Sequence, residues 1–340
     1  MKLSYSQIET YKLCPHKWKF HYIDGYRPDY IGSPLFFGSA LGAAWAQMLL
    51  KKKIDLTDDE KNILDKNTKE YFDELYQSVE INGIKYDLPT CTKVTYFKND
   101  FQADILNDQD REVIENYRKA NGFNDVTFDD LYGFYKAGNV DEDELKYLNF
   151  QFWVSTRRKA HYLIDSYEKE ILPRVLRVYS IEEPISIKNN SGDEIIGFID
   201  LIAEIVLDGG QIIKAVLDHK TSSKKYNEKK FEESGQLHLY NYVKELGSIG
   251  YIVGVKEIKK PKIGPRKGEI YGELQLLTQA SNPETEERFI LEADQVLGLI
   301  KSESYPKNKD ACLSFGARCA FYEICQGSGK MDGLIKKEQK

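Results

Sequence analysis

The chain has 340 residues, 41% of them hydrophobic and 30% charged, with 48 basic against 54 acidic side chains and a net charge of −6. That composition excludes a disordered or collagen-like chain, and the length allows two or three domains of about 100–200 residues, or one core with a large insertion. No apolar run reaches the roughly 18 residues of a membrane helix, the opening Met1-Lys2-Leu3-Ser4-Tyr5 leads into a polar segment where a secretory leader would be apolar, and the negative charge taken alone argues against nucleic acid as a partner.

Residues 3–24 read as helical, with Ser4 and Gln7 as a capping box and Ile8, Tyr11, Trp18 and Tyr22 as the apolar face. Cys14-Pro15 interrupts this stretch and predicts two short helices or a kink. A second helix, 35–50, is small and apolar along one side at Ala40, Ala43, Ala44 and Met48. Residues 51–175 are charged and mostly helical by pattern, with loops near 82–89 and 121–130, and carry no motif that ties to chemistry. The period then changes. Residues 180–188 and 194–207 read as strands joined by the turn Asn189-Asn190-Ser191-Gly192, and Asp208-Gly209-Gly210 leads into a third strand at 211–220. A helix at 228–246, strands at 250–255 and 270–277, and an amphipathic helix at 283–301 complete the pattern. The expected fold is α/β, a hairpin-rich mixed sheet flanked by helices.

Three of the five cysteines crowd near one end as Cys312-x6-Cys319-x5-Cys325. A tight cysteine cluster in a reducing compartment more often binds metal than forms disulfides. Structural zinc sites favour two short C-x2-4-C pairs, which are absent here, whereas iron–sulfur clusters take four thiolates at more varied spacing. The fourth ligand has two candidates, Cys91 and Cys14. A zinc site on the same cysteines, or simple burial of some of them, is the competing reading.

Asp200 falls within the second strand, and Asp218 and Lys220 end the third. Residues two apart share a strand face, so Asp218 and Lys220 point the same way, and an antiparallel neighbour can bring Asp200 alongside. Two such carboxylates repel, and a divalent cation relieves the repulsion. A lone Asp-x-Lys is most often a surface ion pair, but charges ending the apolar run 212–217 require a reason. Gln236 and Tyr240 lie four apart, on one face of the next helix.

The order Gly-x-x-Asp200, Asp218-x-Lys220, Gln236-x-x-x-Tyr240 resembles the RecB-type branch of the PD-(D/E)XK nuclease superfamily. Cys14 upstream of three C-terminal cysteines resembles its iron–sulfur members, which include the AddB nuclease domain, CRISPR-associated single-strand exonucleases and phage-encoded relatives. The opening from Leu3-Ser4-Tyr5-Ser6 to Cys14-Pro15-His16-Lys17-Trp18 fits as well. The resemblance implies a restriction-endonuclease-like core, a large helical insertion and an iron–sulfur-stapled N/C-terminal region. The parts are 1–50, the insertion 51–175, the nuclease core 176–305 and the cysteine region and tail 306–340. It implies that Asp200, Asp218 and the backbone carbonyl of His219 bind Mg²⁺ or Mn²⁺, that Lys220 is catalytic, and that Gln236 and Tyr240 position it or the DNA. Cys14, Cys312, Cys319 and Cys325 would hold a [4Fe–4S] cluster, leaving Cys91 structural. Glu182 or Glu183 matches a position often acidic, with Glu183 taken as a minor candidate.

One departure stands out. Relatives carry a metal-binding histidine in Gly-x-x-x-His, and here the segment ends in glycine, Gly38-Ser39-Ala40-Leu41-Gly42. Basic residues nonetheless cluster locally, at Lys224, Lys225, Lys229 and Lys230, and at Lys256, Lys259, Lys260, Lys262, Arg266 and Lys267. They predict a phosphate-binding track on an otherwise acidic protein. The expectation is a cytoplasmic (host-cytoplasmic if viral), metal-dependent DNA exonuclease acting on single strands or duplex ends. The alternative is an iron–sulfur DNA-binding protein that has lost cleavage.

Overall fold

A computed structural model describes the chain except for residues 82, 124–125, 190–191, 230–233, 317, 329 and 338–340. Its centre is a six-stranded mixed sheet: β1 (Lys2–Ser4), β2 (Val175–Lys188), β3 (Glu194–Val206), β4 (Ile212–Ser222), β5 (Ser248–Lys259) and β6 (Tyr271–Ala280). β3 pairs antiparallel with β2 along one edge. Its other edge is divided between β1, parallel at Glu194–Ile196, and β4, antiparallel from Leu201 onward. β4 and β5 then run parallel, and β6 closes the sheet antiparallel to β5.

The predicted interruption at Cys14-Pro15 appears as two helices, α1 (Tyr5–Leu13) and α2 (Pro15–Tyr22). Cys14 is extended and caps α2 with its own sulfur, and Pro15 occupies the first turn, where its missing N–H costs nothing. β1 has no counterpart among the expected strands, because three residues in a parallel pairing leave too short a pattern. The helix expected over 228–246 is α5 below, shorter at Gly235–Lys244; part of the expected span, with Lys230, lies outside the described residues, as does part of the turn 189–192.

Each sheet face carries its own core. Helices α1, α5 (Gly235–Lys244) and α6 (Pro283–Lys301) cover one face with Ile8, Tyr11, Leu237, Val296 and Leu297 against Leu3, Ile195, Ile199, Val216 and Ile249 of the sheet. The other face takes α3 (Ser33–Leu49) and the 25-residue α4 (Glu142–Ser166), together with the shorter helices and turns of 51–141. Residues 51–175 therefore share one continuous core with the sheet, from Phe72 and Tyr76 through Trp153 and Leu163 to Leu201, Ala215 and Leu217. A π-helical turn, Tyr167–Ile171, follows α4 and sets the buried Tyr167 ring against Trp45 at 5.0 Å and 18°. Such a stack adds about 0.5–1.5 kcal/mol to the burial itself. Among the described residues no helix is long and apolar enough to cross a membrane.

Candidate active site

The site forms where β3 changes partners. β1 leaves the ladder at Ile196 and β4 joins at Leu201, so residues 197–200 line the fork between them. Ile195 and Ile199 belong to one core, whereas Leu201, Ala203 and Ile205 belong to the other. The side-chain alternation thus slips at Asp200, and its carboxylate emerges between the faces. There Asp200 Oδ2 accepts the His219 amide at 2.9 Å, tying the two diverging strands together.

Across β2, Glu182 stands opposite Asp200, between the pairs Ile181↔Leu201 and Glu183↔Ile199. Its backbone is left-handed, φ 51°, a conformation that costs a residue with a Cβ about 1 kcal/mol or more and that recurs at functional positions. Burial, then the charge of Asp200, raises the Glu182 carboxyl above its ordinary value.

Asp218 is 1% exposed, and neither carboxylate oxygen has a hydrogen-bond partner. Its one close charged partner is the Lys220 ammonium, with Nζ 2.7 Å from Oδ2. Burial, then Asp200, and further down Glu182, push the Asp218 carboxyl up to about 7 against the pull of Lys220. Burial works against the Lys220 ammonium, but Asp218 and Asp200 outweigh it and hold the lysine above its usual range. Lys220 donates to Gln236 Oε1 at 3.1 Å, and Gln236 Nε2 donates to the Tyr240 hydroxyl at 2.9 Å. The pair four apart on α5 therefore works as a relay, and Tyr240 fits because position 197 is glycine: a Cβ there would lie 2.9 Å from the tyrosine ring.

On the α3 side an open cleft of about 560 Å³ is lined by Gly38, Gly42, Ile181, Glu182, Asp200 and His219. Asp218 and Lys220 face the α5 side of β4, so Asp200 is the residue shared between cleft and relay. The His219 ring is buried against Trp45 and bonds the Tyr167 hydroxyl at 3.0 Å. Burial, the largest influence, drives its pKa down to about 4, so it is neutral at physiological pH. Gly42 faces open space, with no atom within 4 Å of where its Cβ would stand.

The fork thus brings together Asp200, Asp218, Lys220, Gln236, Tyr240 and the His219 backbone. Glu183 is elsewhere, ion-paired to Lys244; its neighbour Glu182 is the one in the cleft. Strand alternation already put the two glutamates on opposite faces, and counting the register from the turn at 189–192 would have chosen between them. Of the predicted basic residues, Lys225 pairs with Glu273 at 2.7 Å, Lys259 with Glu257 at 3.3 Å, and Lys260 donates to the Asp104 carbonyl at 2.9 Å. Arg266 is held by Glu269 and Glu170 over the Tyr271 ring. Lys224, Lys262 and Lys267 are exposed.

Far from the fork, Cys14, Cys312, Cys319 and Cys325 line one cavity of about 140 Å³, with Lys17, Lys307 and Lys309 on its walls. All five cysteines are free thiols, and Cys91 lies apart in the core. Burial raises the Cys325 thiol, Lys307 lowers it, and the other three cysteines raise it again. As placed, no three His, Cys, Asp or Glu side chains among the described residues stand close enough to hold a metal ion between them.

Both donor sets nevertheless fit a cation chemically. Asp218 offers a buried carboxylate whose one cationic partner is Lys220, beside two more carboxylates. Burial and the three neighbouring cysteines raise the Cys325 thiol in a lysine-walled cavity, which a metal would reverse. A family model described as the PD-(D/E)XK nuclease superfamily matches residues 2–326. No curated protein matches the chain.

Proposed function

The chain belongs to the PD-(D/E)XK nuclease superfamily, a family of metal-dependent nucleases, and from that premise we propose that it is a DNA exonuclease acting on single strands or duplex ends in repair, recombination or replication. The observation that carries the reading is the buried carboxylate of Asp218, set beside Asp200 and joined through its ion pair with Lys220 to Gln236 and Tyr240. Asp200, Asp218 and the His219 carbonyl would hold Mg²⁺ or Mn²⁺, with Glu182 on the side that Gly42 leaves open. When bound, the ion supplies Lewis-acid polarisation of the phosphodiester and lowers the pKa of water. Lys220 is held charged, so at neutral pH it donates to the phosphate and takes no proton from water. Gln236 and Tyr240 fix where that ammonium points.

Lys220→Met is expected to lower kcat by about 10²–10³-fold with KM little changed, the size of effect of removing one preorganised donor. Gln236→Ala, which only frees the ammonium, is expected to have a smaller effect in the same direction. Single-turnover assays on end-labelled single strands across a Mg²⁺ and Mn²⁺ titration measure both, and the product ladder separates exonuclease from endonuclease action. Wild-type rates in Lys220→Met would end the assignment.

Gly42 supports a second reading, a protein that binds DNA ends without cutting them. Gly42→His places an imidazole in open space facing Asp200. It is expected to lower the Mn²⁺ concentration at half-maximal rate, or to create activity if wild type has none. An unchanged metal dependence would mean that Glu182 or water already fills the place.

The proposal includes a [4Fe–4S] cluster on Cys14, Cys312, Cys319 and Cys325, supported by four free thiols on one cavity. Such a site needs a reducing compartment, so the proposed setting is the cytoplasm.

A further inference from the structure

The inserted region has no part in the chemistry described so far, yet it walls a second and larger cleft. About 820 Å³ of open space lies at the carboxyl ends of the parallel strands β4 and β5, where ligands of α/β sheets characteristically bind. Thr221, Ser222 and Ser223 line it, directly continuing the chain from Lys220, together with Lys256 from the end of β5. The opposite wall comes from the insertion: Phe97, Asn99 and Asp100 in one loop, and Lys159 from α4.

Two features of this cleft point to a ligand. Lys159 is 2% exposed, with Nζ donating to the Asn99 carbonyl at 2.5 Å, and Lys256 Nζ is 3.5 Å from Asp100 Oδ1. Asp100 is meanwhile held by the Ser33 hydroxyl at 2.5 Å and the Phe97 amide at 2.9 Å. The buried part of the cleft thus sets two ammonium groups against one carboxylate. Glu257 and Asp104, which also act on Lys159, are exposed and screened by water. An anion would complete the balance. The second feature is Phe97, a large apolar ring that is 49% exposed at the same cleft.

We propose that this cleft carries the single-stranded part of the substrate, with a backbone phosphate facing Lys159 and Lys256 and an unstacked base on Phe97. The proposal rests on the nuclease reading and adds the strand path and the purpose of the insertion. A duplex would not satisfy the site, because its base faces are already stacked and cannot reach the ring.

The test uses the full chain in chelator, so that DNA binds without being cut, and measures anisotropy of a labelled oligothymidylate and of a blunt hairpin over a salt series. Phe97→Ala is expected to weaken strand binding on the order of tenfold, as for one lost stacking contact, and to leave the hairpin unaffected. Lys256→Gln is expected to reduce the salt slope for the strand by about 0.7, the loss of one phosphate contact. Neither variant should slow hydrolysis of bis(p-nitrophenyl) phosphate, which is too small to need the cleft. Phe97 is exposed, so its variant folds, and a thermal melt checks this. Wild-type strand affinity and salt slope in both variants, with DNA cleavage intact in wild type, would overturn the strand path and leave the nuclease standing. Wild-type protein that neither binds nor cleaves DNA would remove the nuclease reading and this proposal with it.

Discussion

Asp218→Asn is expected to cut phosphodiester hydrolysis by at least about a thousandfold and to remove a pH dependence from the stability of the metal-free protein. The first effect follows from the loss of a buried anionic ligand, worth several kcal/mol of charge stabilisation at about 1.4 kcal/mol per tenfold in rate. The second follows from the pKa of about 7 imposed by burial and by Asp200. Between its ordinary 3.8 and about 7, the folded protein keeps a proton on Asp218 that the unfolded chain has already released. Metal-free stability should therefore decline as pH rises through that window and level off above it. A divalent ion reverses the decline by favouring the carboxylate. Melting midpoints of wild type and Asp218→Asn, with chelator and with Mn²⁺ from pH 4.5 to 8, isolate this residue as the difference between the curves. Parallel curves would show that Asp218 does not hold its proton in the folded protein, and unimpaired cleavage by the variant would remove it from the mechanism.

Cys325→Ser is expected to yield colourless protein, without iron or acid-labile sulfide, that melts well below wild type. The cysteine cavity joins α2 to the C-terminal turns across nearly the whole chain. Without a cluster, the junction rests on contacts such as the His16 amide to the Pro306 carbonyl at 3.3 Å and Asn308 Nδ2 to the Leu13 carbonyl at 2.8 Å. Closing so long a loop contributes roughly 6 kcal/mol, by analogy with a disulfide, and losing it would lower the midpoint by about 8 °C in a chain this size. Cys91→Ser is the matched control, since that thiol is buried in the core away from the cavity. Equal iron content and equal melting in wild type and Cys325→Ser would eliminate the cluster.

What could be read from sequence depended on how local its cause was. Asp218 and Lys220 share a face through strand alternation, and Gln236 and Tyr240 through the helical period, so their grouping is legible from residue spacing alone. Glu182 is told from Glu183 only by the strand register, which runs unbroken from Lys188↔Glu194 and sets Glu182 opposite Asp200, a pairing that residue types alone do not give. The partners of the basic residues were hidden for a different reason. The acids that engage Lys225 and Arg266, Glu273 and Glu170, are remote in sequence and meet them only through tertiary contact. The strand cleft was equally hidden, since its lysines come from α4 and β5, and each alone is an ordinary residue in a charged stretch.

Gly197 makes the fold and the site answer to one position. The Tyr240 ring fills the space a side chain at 197 would need, so any replacement must displace the tyrosine and, through Gln236, the reach of Lys220. Tyr240 is itself 3% exposed in the core, so the same replacement would also loosen the packing between α5 and the sheet. A side chain at 197 is thus refused twice, once by the packing and once by the hydrogen bonds that aim the lysine.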